Sequence, residues 1–354
     1  MTLCGELVLG AFEGTSLPRD FALALSEGRR GGVILFKRNV EGGPAQVAAL
    51  ARAIHVATAE TALVAVDQEG GRVARLRAPL LVIPPMRTVA AWGDTAFAER
   101  IARAVAAELA VLGFTLVFAP VLDVNTSADN PVIGDRAFGD DPDTCARFGV
   151  AWIQGIQRAG LLACGKHFPG HGDTTTDSHT ELPVVHRSRD HIDRVGLKPF
   201  RAAASAGVAS MMTAHVVYTA IDPRVPATLS RAVCTDLRAH VGFGGLLFSD
   251  DLVMRAIADR WPIEEAAVLA IAAGCDALLV CSTDDKQERA VQALTREAHV
   301  SPAFRARCEL ALGRLRDARR RIHPPAIDGD AVARVIGGAE SRAVATEIAR
   351  RLEA

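Results

Sequence analysis

No apolar run reaches the roughly 18 residues that a transmembrane helix needs, so the chain carries no membrane-span signal. Excess charge of either sign is also missing: 40 Lys and Arg face 41 Asp and Glu, a formal balance of −1. That removes any electrostatic reason to expect nucleic acid or an anionic membrane surface as a partner. Met1–Gly10 holds no basic stretch, and Glu6 interrupts its short apolar run, which argues against a secretory signal and for a cytoplasmic protein. The seven cysteines (4, 145, 164, 234, 275, 281 and 308) include no CxxC pair and are odd in number. They suit buried thiols in a reducing compartment better than a disulfide framework. No GxGxxG follows the first apolar run, which weighs against a doubly wound dinucleotide-binding sheet. There is no HxH or HExxH spacing, so neither a metal nor another cofactor is expected.

What is present is an ordinary globular balance, 49% hydrophobic and 23% charged, on a chain long enough for one large barrel. Short apolar runs recur at Glu6–Leu9, Gly32–Phe36, Ala62–Val66, Thr115–Phe118, Leu161–Cys164, Ala209–Thr213, Gly245–Phe248 and Ala277–Val280. Each reads as a strand buried on both faces of a parallel sheet. Amphipathic stretches lie between most of them: Pro44–Ala59, Ala96–Leu112, Asp143–Ala159, Asp190–Ala206, Leu229–His240 and Ile263–Ala273. Gly113, Gly160, Gly207 and Gly274 stand at expected helix ends. Eight strands alternating with helices predict an α/β fold, a single-domain (β/α)8 TIM barrel over residues 1–300. From Ser301 the pattern is helical only, predicting a C-terminal helical extension, 301–354, packed on the barrel.

In such barrels the active site lies at the C-terminal strand ends. Those ends here carry Lys37-Arg38-Asn39, Asp67 to Arg72, Asp123, Lys166-His167, His215 and Ser249-Asp250-Asp251. Polar groups on six strands of one rim indicate a catalytic mouth. Asp250 follows the apolar run Gly245–Phe248 and enters that mouth from a rigid strand, suited to a nucleophile, a metal ligand or an electrostatic anchor. A helix-capping Asp is the structural alternative, and of the adjacent pair Asp250 and Asp251 one can cap while the other reacts. The long connection from Lys166 to His179 holds three His, one Lys and two Asp. Asp177 and His179 are close enough for the carboxylate to fix the imidazole tautomer and leave the other nitrogen to shuttle a proton. Gly170 and Gly172 are expected to let this loop swing over a ligand. Asp67, with two glycines after it, can accept hydrogen bonds from sugar hydroxyls, and Arg75 and Arg136 can donate to polar substituents. Lys166 beside His167 repels a cation, against a metal-dependent hydrolase, and an aldolase-like Schiff base at Lys166 lacks the desolvation it needs.

Six separated stretches together resemble glycoside hydrolase family 3, in particular its single-domain β-N-acetylglucosaminidases (β-hexosaminidases). They are Gly32–Asn39, Asp67–Arg75 (DQEGGRVAR), Asn130–Gly139 (NPVIGDRAFG), Lys166–Gly172 (KHFPGHG), Asp177–His179 (DSH) and Gly245–Leu252 (GLLFSDDL). The resemblance implies that Asp250 is the nucleophile, His179 the general acid/base and Asp177 its partner. It places sugar binding on Asp67, Arg75, Arg136, Lys166 and His167. It also implies retaining removal of terminal β-linked N-acetylglucosamine from a small carbohydrate, anhydro-muropeptides of peptidoglycan recycling being the expected source. Chitooligosaccharide hydrolysis and phosphorolysis use the same residues and stay open, as does a non-catalytic sugar-binding barrel.

Overall fold

The computed structural model describes residues 4–353 apart from Glu60, His179–Thr180, Thr283, 323–326 and Asp328. Strand β1 (Val8–Gly10) is followed by α1 (Arg19–Ser26), β2 (Gly32–Leu35), α2 (Gly43–Ala57) and β3 (Leu63–Val66). Next come α3 (Thr95–Val111), β4 (Leu116–Val117), α4 (Pro142–Arg158), β5 (Leu162–Phe168), α5 (Leu197–Ser205) and β6 (Ser210–Thr213). A helical segment over Ala232–Leu237 and Arg238–His240 leads to β7 (Leu246–Asp251), α6 (Ile263–Ala273), β8 (Ala277–Val280) and α7 (Asp284–Val300). Each strand pairs in parallel with its sequence neighbours, and β1 pairs with both β2 and β8, which closes the barrel. A (β/α)8 TIM barrel is therefore the fold.

The strands close because their side chains have nowhere polar to go. Val33, Leu63 to Val66, Leu247, Phe248 and Ala277 to Val280 are essentially inaccessible. Phe118 and Phe248 meet edge to face across the interior at 5.5 Å, a contact contributing about 0.5–1.5 kcal/mol beyond burial. Helix starts are capped by the residues that precede them: Asp94 accepts from the Phe97 amide (2.9 Å) at α3, and Asp141 from Thr144 (2.8 Å) at α4.

Two strands outrun their apolar cores. β5 continues through Lys166-His167 to Phe168, and β7 through Asp250-Asp251. Both carry a register shift at their polar ends, between Lys166 and Phe168 and between Phe248 and Asp251. The polar residues that end an apolar run in sequence are here the part of the strand that reaches the mouth. The stretch expected as one helix over Asp190–Ala206 is broken, with a wider turn at Ile192–Gly196 before α5.

Beyond α7 lie α8 (Pro302–Arg319), α9 (Gly329–Val335) and α10 (Ala339–Leu352). On α8, Arg307 and Arg314 reach the buried Asp276 at the start of β8 (2.6 and 3.0 Å), where Arg238 makes a third contact at 2.9 Å. Buried Glu108 of α3 accepts from the Leu81 and Gly337 amides (2.7 and 3.1 Å). No helix among the described residues is long and apolar enough to cross a membrane.

Candidate active site

The carboxyl ends of the strands surround a cavity of about 430 Å³. Asp67, Arg75, Arg136, Lys166, His167, Asp177 and Asp250 all line it, together with Glu69, His171, Ser178 and Asp251. Seven of the eight residues expected at the site are thus on one wall or another of one cavity. The eighth, His179, lies outside the described residues, so the expected pairing of Asp177 with it is not addressed by the geometry.

The floor is an alternating row of charges. Arg75 Nη2 donates to Asp67 Oδ2 (2.9 Å), and Lys166 Nζ lies 2.9 Å from Asp67 Oδ1 and 2.6 Å from Glu69 Oε1. Arg136 closes the row with two parallel bonds to Glu69, Nε to Oε2 and Nη2 to Oε1, both 2.8 Å. Burial pushes the Asp67 carboxyl up, but Lys166 and Arg75 outweigh it and hold it below the ordinary range. Burial likewise disfavours charge on Glu69, yet Arg136 and Lys166 hold it far below that range. Lys166 sits above its ordinary value, because Asp67 and Glu69 overcome the cost of its burial. Contrary to expectation Lys166 is desolvated, and it is the two carboxylates that hold it cationic, a hydrogen-bond donor and not an amine nucleophile, which argues against the Schiff-base alternative.

The hairpin that presents Asp67 and Glu69 depends on glycine. Gln68–Gly70 pairs with Val73–Ala74, with Gly70 at φ +120° and Gly71 at φ +54°. A Cβ on Gly70 would sit 2.8 Å from the Pro84 carbonyl oxygen.

Asp123, wholly buried at the end of β4, organises the next sector. Its Oδ1 accepts from the His171 amide (2.6 Å) and its Oδ2 is 2.7 Å from His167 Nδ1. Burial raises the Asp123 carboxyl, but His167 and His171 more than compensate and it stays ionised below the ordinary range. An ionised acceptor fixes Nδ1 of His167 as the protonated nitrogen.

At the end of β7, Asp250 Oδ1 accepts from the Asp251 amide (2.7 Å). Burial pushes its carboxyl up, while His215, His167, that amide and Lys166 together hold it below the ordinary value, so it is an anion. Asp251 does the opposite: burial, with the Asp250 charge beside it, pushes it up to about 6. Its Oδ1 takes the Val253 and Cys281 amides (3.2 and 3.0 Å), a bridge from β7 to β8. Asp251 therefore bridges two strands rather than capping a helix, whose start at Arg255 has no side-chain cap, while Asp250 presents a charged oxygen. His215 is fully buried, 2.7 Å from Thr228 Oγ1 and 2.9 Å from the Asp251 carbonyl.

Gly172 has a packing role in this structure. A Cβ there would come within 1.6 Å of the Val124 carbonyl oxygen, so glycine is required by close packing of two loops. Tyr218 Oη donates to the Gly170 carbonyl. Asn39 proves structural, donating to the Phe12 and Gly14 carbonyls (3.0 and 2.7 Å), and Lys37 is exposed. Sequence placed Glu69 and Asp123 on the rim of the mouth but gave neither a role. Their signal was present: Glu69 stands two residues after Asp67, the spacing that places two side chains on one face of an extended segment. Among the described residues no three His, Cys, Asp or Glu side chains converge as a metal site requires.

Comparison with known proteins agrees with this geometry. Residues 9–309 match the family described as Glycosyl hydrolase family 3 N terminal domain. A beta-hexosaminidase of Thiobacillus denitrificans is 45% identical over 289 residues, covering 80% of this chain and 79% of that protein. The glycoside hydrolase family 3 beta-N-acetylglucosaminidase structure from Paenibacillus superposes with a TM-score of 0.90 at 36% identity, covering 99% of this chain and 68% of that one. NagZ from Neisseria gonorrhoeae, in complex with N-trifluoroacetyl-D-glucosamine, gives 0.80 at 31% identity, covering 98% and 97%.

Proposed function

This chain belongs to glycosyl hydrolase family 3, and from that premise we propose that it is a retaining exo-β-N-acetylglucosaminidase working through a glycosyl-aspartate intermediate. β-Hexosaminidase activity is supported by the relatives at about 40% identity and above that bear this description. The observation that carries the catalytic reading is Asp250: an ionised carboxylate on a strand end, in one cavity with the Asp67, Glu69, Lys166, Arg136 row.

In the first half-reaction an Asp250 oxygen attacks the anomeric carbon as the bond to the leaving oxygen breaks, and His179 gives that oxygen its proton. In the second, His179 takes a proton from water, the water oxygen attacks the same carbon, and the bond to Asp250 breaks. Two inversions give net retention. Asp177 orients His179, while Asp67, Arg75, Arg136, Lys166 and His167 hold the sugar hydroxyls through bonds that strengthen as positive charge develops on the ring. A histidine in place of the second carboxylate spares the nucleophile a like-charged neighbour. The substrates in this reading are muropeptides of peptidoglycan recycling in the cytoplasm. In this reading residues 1–300 form its catalytic barrel and 301–354 a helical extension packed on it, the packing supported by the Arg307 and Arg314 contacts to Asp276.

The test is turnover of the 4-nitrophenyl β-glycosides of N-acetylglucosamine and glucose in phosphate-free buffer. Cleavage of the acetamido sugar alone is expected; preferential cleavage of the glucoside overturns the substrate, and no cleavage of either overturns the enzyme.

A further inference from the structure

Four buried side chains in the catalytic sector have no part in the mechanism above, yet they form one connected chain. Asn130, 7% exposed, saturates both ends of its amide. Its Oδ1 accepts from the Val132 and Ile133 amides (2.9 and 2.8 Å), and its Nδ2 donates to the His171 and Gly172 carbonyls (2.9 and 3.1 Å) and to Thr174 Oγ1 (3.2 Å). It thereby ties the loop carrying Arg136 to the loop carrying Asp177. Thr174 Oγ1 donates its one hydrogen to the His171 carbonyl (3.0 Å), so its 2.9 Å contact with His171 Nδ1 requires the ring to donate. Nε2 of His171 then holds a lone pair, and Ser178 Oγ, 3.4 Å away, is the group placed to donate to it. Burial, helped by neighbouring His167, pushes His171 down to about 4, so the ring is neutral through the neutral range and the Thr174 contact sets its tautomer.

Ser178 is the end of the chain and is 3% exposed. Its carbonyl accepts from the Ala256 amide (3.3 Å) on the connection that follows Asp250 and Asp251. The residue between Asp177 and His179 in sequence is thus bound by its side chain to the β5 loop and by its backbone to the nucleophile's connection.

We propose that Ser178 and His171 are positioning residues for proton transfer at the leaving oxygen, with Asn130 and Thr174 fixing the tautomer that lets His171 accept from Ser178. This rests on the reading of Asp177 and His179 as the acid/base pair. Ser178 acts through the backbone of its neighbours, so its loss affects the step that needs the proton and spares the step that does not.

The experiment measures kcat/KM of Ser178→Ala, Ser178→Thr and His179→Ala on two substrates. One is chitobiose, a poor leaving group, and the other is the 2,4-dinitrophenyl β-glycoside of N-acetylglucosamine, a good one. Ser178→Ala is expected to lose about 10- to 100-fold on chitobiose and about twofold or less on the aryl substrate. Ser178→Thr, which keeps the hydroxyl, recovers most of the loss. Equal losses on both substrates, no loss on either, or a threonine variant no better than alanine overturn the proposal. If Ser178→Ala does not fold, Thr174→Val is read in the same way, because it frees the His171 tautomer. His179→Ala separates the two levels: without leaving-group dependence there, the acid assignment itself falls and takes the positioning role with it.

Discussion

Glu69 grips Arg136 through two parallel hydrogen bonds of 2.8 Å, and both side chains are almost wholly removed from solvent. The same carboxylate reaches Lys166 at 2.6 Å. The two cations that line the cavity are therefore held by one shared anion.

Replacing Glu69 by Gln keeps the shape but removes the charge that both cations need. A broken buried pair costs about 3–5 kcal/mol when one partner is left uncompensated. The variant should unfold at lower denaturant by an amount in that range. Its kcat/KM for N-acetylglucosaminides should fall about 100-fold as Arg136 and Lys166 drift, if they bind the sugar as proposed. Wild-type kcat/KM with a large loss of stability would separate Glu69 from binding.

His179→Ala should slow alkyl glycosides far more than aryl ones, because a stable leaving group needs little protonation. A Brønsted series of aryl glycosides checks this: the dependence on leaving-group pKa should steepen in the variant. An unchanged slope contradicts the acid role.

Asp251 makes stability fall with rising pH. Its folded pKa of about 6 lies above the ordinary aspartate value of about 3.9. Between those values the folded protein binds more protons than the unfolded one, so stability present at low pH is lost as pH rises through about 6. The contribution is about 3 kcal/mol. Asp67, Glu69, Asp123 and Asp250 act in the other direction, since their depressed carboxyls lose stability only as pH falls below the ordinary carboxylate range. Buried His171, held down to about 4, acts in the opposite direction to Asp251 over the same window. The test is therefore the difference between proteins: from pH 4.5 to 7.5, about three units around the Asp251 titration, wild type should lose stability relative to Asp251→Asn, and a constant difference contradicts the assignment.

Asp276 balances Arg238, Arg307 and Arg314 at the barrel end away from the cavity. Burial and the two other guanidiniums already press Arg238 below its ordinary value. Asp276→Ala should destabilise the fold by about 3–5 kcal/mol with KM unchanged, checked by denaturation alongside kinetics. A large KM change with stability intact contradicts a structural role.

Much of this was legible in sequence because apolar runs report strand interiors directly. Leu63–Val66 and Ala277–Val280 lie within a residue of the runs that forecast them. What was missed is polar or short. Helix α7 is rich in Asp, Lys, Gln and Glu along its first two turns, and α1 has only eight residues, so neither stands out by periodicity. β5 and β7 extend into charged residues that pattern reading assigns to loops. The site's carboxylates were readable from their positions at strand ends, but the roles of Glu69 and Asn130 arise from partners 67 and 41 residues away. The packing need for Gly172 was hidden for the same reason: the carbonyl of Val124 occupies the space a side chain would take.

The central claim is that Asp250 forms a bond to the sugar. A 5-fluoro N-acetylglucosaminyl fluoride, whose slow second step lets the intermediate accumulate, should inactivate the enzyme. Peptide mass mapping should then find the sugar on Asp250 and nowhere else. Label on Asp251, or turnover that releases the inverted anomer first with no labelled peptide, would contradict the account.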